Sequence, residues 1–265
     1  MNSSDNYLDI NRKSWNNVVD THLASEFYGQ EKFMAGETTL KDIELKLLGD
    51  VKDKKILHLQ CHFGQDSISL ARMGAQVTGI DLSDKAIATA QGINQQLGLS
   101  AEFIRCDVYD TPNHVSEKFD IVFSSYGTIG WLPDLDKWAN VISTLLKPGG
   151  KFIFAEFHPV VWMFDYKFSI VEYSYFNTEA IVETTEGTYT DRDAPLVNKS
   201  VSWNHPLSEV FSALINAGLS IDQFQELDYS PYNCFQETEE FEPGKFRIKH
   251  LGNKVPLVYS LVASK

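Results

Sequence analysis

Between about residues 54 and 157 the chain alternates short apolar runs with amphipathic stretches, and this limits its fold more than any other feature of its 265 residues. Lys54–Gln60, Ala75–Ile80, Ala101–Arg105, Phe119–Phe123 and Lys151–Glu156 read as strands. A helix is expected over Asp66–Met73, closed by Gly74 in the left-handed conformation. Ser83 is a good N-cap for the next helix, whose apolar positions Ile87, Ala90, Ile93 and Leu97 keep helical spacing. Leu135, Trp138, Val141, Ile142 and Leu145 mark a third helix, stopped by the Lys147–Gly150 run with its proline. Strands and helices alternating in this way require crossover connections, hence an α/β fold: a doubly wound, mostly parallel sheet with helices on both faces. Ligands of such sheets bind beyond the carboxyl ends of the strands. Asp81, Asp107, Ser124 and Glu156 are polar residues at those ends.

The flanks are different. Residues 1–50 look helical and carry Trp15, Phe27, Tyr28 and Phe33, too little for a core of their own, and read as a lid segment. The rest, 51–265, reads as one domain with an antiparallel β insertion at about 160–203. Within the insertion, Ser169–Phe176, Ala180–Thr185 and Val197–Trp203 are rich in Val, Ile, Tyr and Thr, and Glu186-Gly187 is a turn signal leading into Thr188–Thr190. Its strands have two uses open to them: pairing across a two-fold axis to make a homodimer, or capping the pocket of their own chain. Leu207, Val210, Phe211, Leu214 and Ile215 then give a helical face ended by Gly218, and strands near Leu219–Leu227 and Val255–Ala263 finish the sheet.

Charge excludes some functions. The chain has 23 basic against 36 acidic side chains, a net charge of -13, which disfavours nucleic acid and anionic membranes as partners. No apolar run approaches the ~20 residues that cross a bilayer, and Met1–Trp15 lacks the apolar core of a secretory signal. Cys61, Cys106 and Cys234 form no C-x-x-C pair, so a reducing, cytoplasmic setting is expected. His58, Cys61 and His62 raise a metal site, but no second cluster supplies further ligands, and His58 reads as a hydrogen-bonded core histidine. No metal is expected, and nothing marks Cys61 as an activated nucleophile.

The turn after the first strand, Gln60-Cys-His-Phe-Gly64, has a single glycine. Asp81 follows 17 positions after Gly64, close to the ~20-residue offset at which an acid meets ribose hydroxyls. Its competing role is to cap the next helix, but Ser83 already offers that cap.

Ile56–Gly64, Val77–Ser83, Cys106-Asp107, Phe119–Phe123 and Leu146-Lys-Pro-Gly-Gly150, in that order, resemble the class I S-adenosylmethionine (SAM)-dependent methyltransferases of bacteria. The resemblance is close over 50–157 and looser over 206–265, and the Leu-Lys-Pro-Gly-Gly run is its most specific part. It implies a seven-stranded, Rossmann-like sheet with a reversed last hairpin. It also implies an enzyme that moves a methyl group from SAM to a small molecule, leaving S-adenosylhomocysteine (SAH). Gly64 and the turn around Cys61 would hold the methionine part. Asp81 would bind the ribose, Leu82 would lie against adenine, and Asp107 would meet the adenine amino group between Cys106 and Val108. Ser124, Ser125 and Tyr126 would floor the site beside the methyl donor. The chain departs from the family at His58, usually an acid, and at Gln60 and His62, usually glycines. Either the turn takes another path there, or His62 meets the cofactor carboxylate and Gln60 its amino group. A nicotinamide-dependent oxidoreductase would want G-x-G-x-x-G, which Gln60, His62 and Gln65 do not supply. A non-catalytic SAM-binding or scaffold domain is the other alternative.

The aromatics outside the core strands either pack or roof the site, since aromatic faces attract a sulfonium; Tyr28 is the best single lid residue. Glu156, His158 and His205 fall near the rim as candidate bases. His158 leads, because imidazole titrates near neutrality and Pro159 holds it extended. Ser124–Gly127 replaces the Asn-Pro-Pro-Tyr of adenine and glutamine methyltransferases. The expected acceptor is therefore a small, partly apolar molecule in a pocket lined by Tyr126, Trp131, Glu156, Trp162 and His205.

Overall fold

In the computed structural model, residues 6–265 are described, so the first five residues of the expected helical segment lie outside the described part. The segment contains α1 (Tyr7–Ala24), α2 (Gln30–Met34) and α3 (Asp42–Leu48). The alternating region follows as β1 (Lys55–Leu59), α4 (Gln65–Arg72), β2 (Gln76–Asp81), α5 (Asp84–Gln96), β3 (Glu102–Arg105), α6 (Thr111–His114), β4 (Phe119–Ser125), α7 (Leu135–Leu145) and β5 (Leu146–Phe157). Then come β6 (Ile181–Glu186), β7 (Val197–Ser202), α8 (Leu207–Asn216), β8 (Ser220–Leu227), β9 (Thr238–Glu242), β10 (Lys245–Ile248) and β11 (Val258–Ser264). No helix among the described residues is long and apolar enough to cross a membrane.

Seven strands form one sheet in the order β3-β2-β1-β4-β5-β11-β8. The first five run parallel, while β11 is antiparallel to both its neighbours. The chain therefore has the expected reversed last hairpin. Side chains alternate across the sheet: Phe152 and Phe154 join Trp138, Leu214 and Tyr259 under α7 and α8, while Ile153 joins Ile56, Phe123 and Leu48 on the other face. With both faces covered, the central strands read as nearly continuous apolar runs.

Gly64 has φ +77°, and a Cβ there would lie 2.6 Å from the Phe103 ring and 2.9 Å from Ala90. Its first role is thus to let α4 start against α5 and β3, independently of any ligand.

The insertion departs from the sequence reading. β6 pairs with β7, Glu186 opposite Val197, and Gly187 N–H donates to the Leu196 carbonyl. Thr188–Thr190 therefore belongs to the hairpin loop instead of forming the returning strand. Ser169–Phe176 forms bends with one isolated bridge, Phe164 to Val171, and pairs with neither β6 nor β7. The β9–β10 hairpin was not foreseen: its charged sequence lacks apolar alternation, and it is held by Arg247 lying 3.6 Å over the Phe241 ring.

α1 is joined to the insertion. Asn11 Nδ2 donates to the Val201 carbonyl (2.8 Å) and Asn11 Oδ1 accepts from Val201 N–H (2.9 Å), so a buried amide serves β7 as another strand would.

Candidate active site

The carboxyl ends of β1, β2, β3 and β4 open into a cavity of about 780 Å³, walled by α1 and roofed by the β6–β7 hairpin of the same chain. Tyr28, Gln60, Cys61, His62, Gly64, Asp81, Leu82, Cys106, Asp107, Val108 and Ser125 all line it, as do Tyr126, Trp131, Glu156, Trp162 and His205. Ser124 and His158 do not.

At the β2 end, Asp81 Oδ2 accepts from His62 N–H and Oδ1 from Ser83 N–H, both at 2.8 Å. Each oxygen keeps a free lone pair. Burial raises the carboxyl from 3.8 to about 6. Ser83 caps α5 by accepting from Ala86 N–H at 3.0 Å, so Asp81 is not needed there. Asp107 caps the turn at Val108–Asp110, and burial raises its pKa too. Val108 and Cys106 belong to the main core and present its edge to the cavity.

The turn after β1 holds two non-glycine residues in the left-handed conformation. Gln60 and His62 sit at φ +55° and +51°, conformations that cost a non-glycine residue about 1–3 kcal/mol each. Gln60 Nε2 donates to the Thr128 carbonyl (2.8 Å), leaving Oε1 buried without a partner among the described residues. His62 Nε2 meets His22 Nδ1 at 3.1 Å, and His62 Nδ1 is likewise unpartnered. The Cys61 thiol packs with Ile68, Ile87 and Phe103, and burial pushes its pKa well above the usual thiol value, the reverse of nucleophile activation. His58 is a core histidine held by Ser67 Oγ at 2.8 Å. Among the described residues, no three His, Cys, Asp or Glu side chains are grouped to hold a metal ion.

Four expected roles fail on geometry, that of Ser124 and those of His158, Glu156 and His205 as bases. Ser124 points to the opposite side of β4 from Ser125 and donates to Thr128 Oγ1, fully buried. His158 turns away from the cavity: its Nδ1 accepts from Val160 N–H and its Nε2 lies 2.9 Å from Glu226, so it caps the turn at Pro159–Met163. His158→Ala is expected to cost ~1–2 kcal/mol of stability in urea titration and to leave SAH affinity unchanged. Glu156 borders the cavity, but its carboxylate already accepts from the N–H groups of Gly127, Thr128, Ile129 and Phe157 and from Thr128 Oγ1. It holds the loop after β4 and is no free base. His205 is similarly engaged, with the Leu132 carbonyl at 2.7 Å and Glu209 at 2.9 Å.

The aromatic wall is more extensive than expected. Trp131 donates to the Gly127 carbonyl and meets Trp15 edge-on; the Tyr28 hydroxyl bonds that of Tyr189; and Trp162 lies at the rim, 43% exposed. Sequence reasoning missed a group beside Tyr126. Its hydroxyl donates to Glu44 (3.1 Å), its ring meets Tyr232 edge-on, Lys41 lies 4.7 Å over Tyr232, and Asp66 accepts from Thr39. Burial, with Asp66 nearby, lifts Glu44 from 4.5 to about 8. These residues come from four separate stretches of chain, and no local pattern joins them.

Residues 50–202, more than half of the chain, match the family described as a methyltransferase domain. A ubiquinone biosynthesis O-methyltransferase of Pseudomonas syringae pv. tomato is 26% identical over 155 residues, 56% of this chain and 66% of that protein, just under two thirds of its length. An uncharacterized methyltransferase of Synechocystis is 32% identical over 133 residues, 49% of this chain and 60% of that one. Among solved structures, the DhpI–SAH complex has a TM-score of 0.57 at 16% identity, covering 98% of both chains. A SAM-dependent methyltransferase of Clostridium acetobutylicum has a TM-score of 0.56 at 16% identity, covering 96% and 98%. The structures share the fold, the family match carries the relationship, and the chain belongs to the methyltransferase-domain family.

Proposed function

We propose that this chain is a SAM-dependent methyltransferase acting on a small, partly apolar molecule. The observation that carries this is the match between unpaired groups of one cavity and the cofactor. Asp81 has a free lone pair on each oxygen for two ribose hydroxyls. Gln60 Oε1 is an unpartnered acceptor for an ammonium, and His62 Nδ1 an unpartnered ring nitrogen for a carboxylate. Bound there, SAM supplies an activated methyl group, so the protein's share is mainly positioning and desolvation. The nicotinamide alternative finds no support in the sheet, whose β11 is antiparallel where the dinucleotide fold continues in parallel.

Asp81 and Asp107 fix the nucleoside over β2 and β3, which leaves the ends of β4 and β5 for the acceptor. Trp15, Tyr28 and Trp131 exclude water and turn aromatic faces toward a cation. With Glu156, His158 and His205 engaged, an ionised Glu44 would receive the acceptor's proton through the Tyr126 hydroxyl, a route that opens as pH rises through about 8. The Pseudomonas relative is named for O-methyl transfer, and the aromatic wall suits a partly apolar acceptor.

Calorimetric titration with SAM, SAH and NAD tests the reading. Binding of the first two without the third is expected and justifies a screen of methyl acceptors. Folded protein that binds neither sulfur compound would refute the proposal.

A further inference from the structure

His22 on α1 and His62 in the turn after β1 form a pair of rings joined Nδ1 to Nε2 at 3.1 Å. Their outer nitrogens, His22 Nε2 and His62 Nδ1, are buried without a partner among the described residues. His22 is 1% exposed, whereas His62 lines the cavity. Trp15, Tyr28 and Phe63 pack around His62, and Trp15, Tyr28 and Tyr189 around His22. None of these neighbours carries a charge near neutrality. Burial lowers His22 from 6.5 to about 4 and holds His62 well below 6.5, so both rings are neutral at pH 7.

Two neutral imidazoles carry one N–H each, and one of those two protons lies between the rings. That leaves two arrangements. If His22 donates from Nδ1, His62 keeps its own proton on Nδ1, a buried donor on a residue that lines the cavity. If His62 donates from Nε2, its Nδ1 is a bare lone pair. A carboxylate in the cavity is held by the first arrangement and repelled by the second.

We infer that His22 is a positioning residue that keeps His62 in the Nδ1–H tautomer, so that His62 donates to the carboxylate at the amino-acid end of the cofactor. The inference rests on the methyltransferase reading and adds to it the residue that sets the donor. With Gln60 Oε1 facing the ammonium, this zwitterion meets two uncharged groups of opposite hydrogen-bonding sense. Those groups stand on the two residues that hold positive φ in place of glycine.

The test compares SAH with 5′-methylthioadenosine, which lacks the amino-acid end, by calorimetry at neutral pH. His22→Phe keeps a ring in place but removes the donor. It is expected to weaken SAH by about 10- to 100-fold, the worth of one charge-assisted hydrogen bond, and to leave methylthioadenosine within ~3-fold. His22→Gln, whose amide can donate to His62 Nε2, is expected to recover most of the loss. Independently of any variant, 15N NMR of histidine-labelled native protein with SAH bound should show His62 protonated at Nδ1 and bare at Nε2. A bare or doubly protonated His62 in that complex overturns the inference. So does equal weakening of the two ligands, or SAH affinity unmoved in His22→Phe, as would follow if Lys41 held the carboxylate. In each of those cases native protein binds SAH and the methyltransferase reading stands. Native protein that binds neither ligand ends both.

Discussion

Asp81→Asn is expected to reduce SAH affinity at least ~100-fold while leaving the free protein no less stable at pH 8. Two hydrogen bonds from ribose to an ionised carboxylate are worth roughly 3–6 kcal/mol, which sets the lower bound on the loss. The stability side follows from burial, which raises the Asp81 carboxyl from 3.8 to about 6. A folded-state pKa above the unfolded one means that the group favours the fold fully below about pH 4 and loses that contribution as pH rises through about 6. Ionised Asp81 therefore costs the free protein on the order of 3 kcal/mol at pH 8. Asn removes that cost and gives up one of the two backbone bonds, about 1 kcal/mol. Ligand binding runs the other way: SAH affinity of the native protein should fall as pH drops through about 6, and the Asn variant should show no such fall. Urea titrations at pH 5 and pH 8, paired with calorimetry, separate the two effects. A variant that keeps SAH within ~10-fold would show that Asp81 does not hold the ribose.

Glu156→Ala should give the largest stability loss at the site, about 3–5 kcal/mol in urea denaturation. Its carboxylate gathers four backbone N–H groups and a hydroxyl from Gly127–Ile129 and Phe157, and the truncated side chain leaves those donors buried and unpaired. The loss should spread, because the same loop supplies the Thr128 carbonyl to Gln60 and the Gly127 carbonyl to Trp131. Glu156→Gln, which keeps one acceptor, should lose less than half as much. A loss below ~1 kcal/mol in the Ala variant would mean that water replaces the carboxylate and that the loop is not held by it.

What could be read in the sequence was what is local. Strand ends follow from apolar runs and caps, so Asp81, Asp107 and Ser83 were placed correctly along the chain before their surroundings were known. The carboxyl-end rule then put them beside one cavity. Side-chain direction within a turn or at a strand end was harder. Ser124 and Ser125 are adjacent and face opposite ways, and Val160 and Glu226, distant or silent in the sequence pattern, occupy the His158 ring. Pairing was hardest of all. Ser169–Phe176 has the composition of a strand but pairs with neither β6 nor β7. Asp66 and Tyr232 line the site, and His22 and Glu44 bond His62 and Tyr126 from behind it, all from segments that nothing in the sequence connects. Gln60 and His62 were the exception, since the missing glycines themselves marked those side chains.

The strand order also constrains assembly. β11 lies between β5 and β8, although β8 precedes it in the chain by about thirty residues. Until residues 258–264 have emerged during synthesis, β5 and β8 each present an unsatisfied edge to other nascent chains. A late-arriving keystone of this kind makes closure of the sheet all-or-none, and the interval before it is when a chaperone would be needed most.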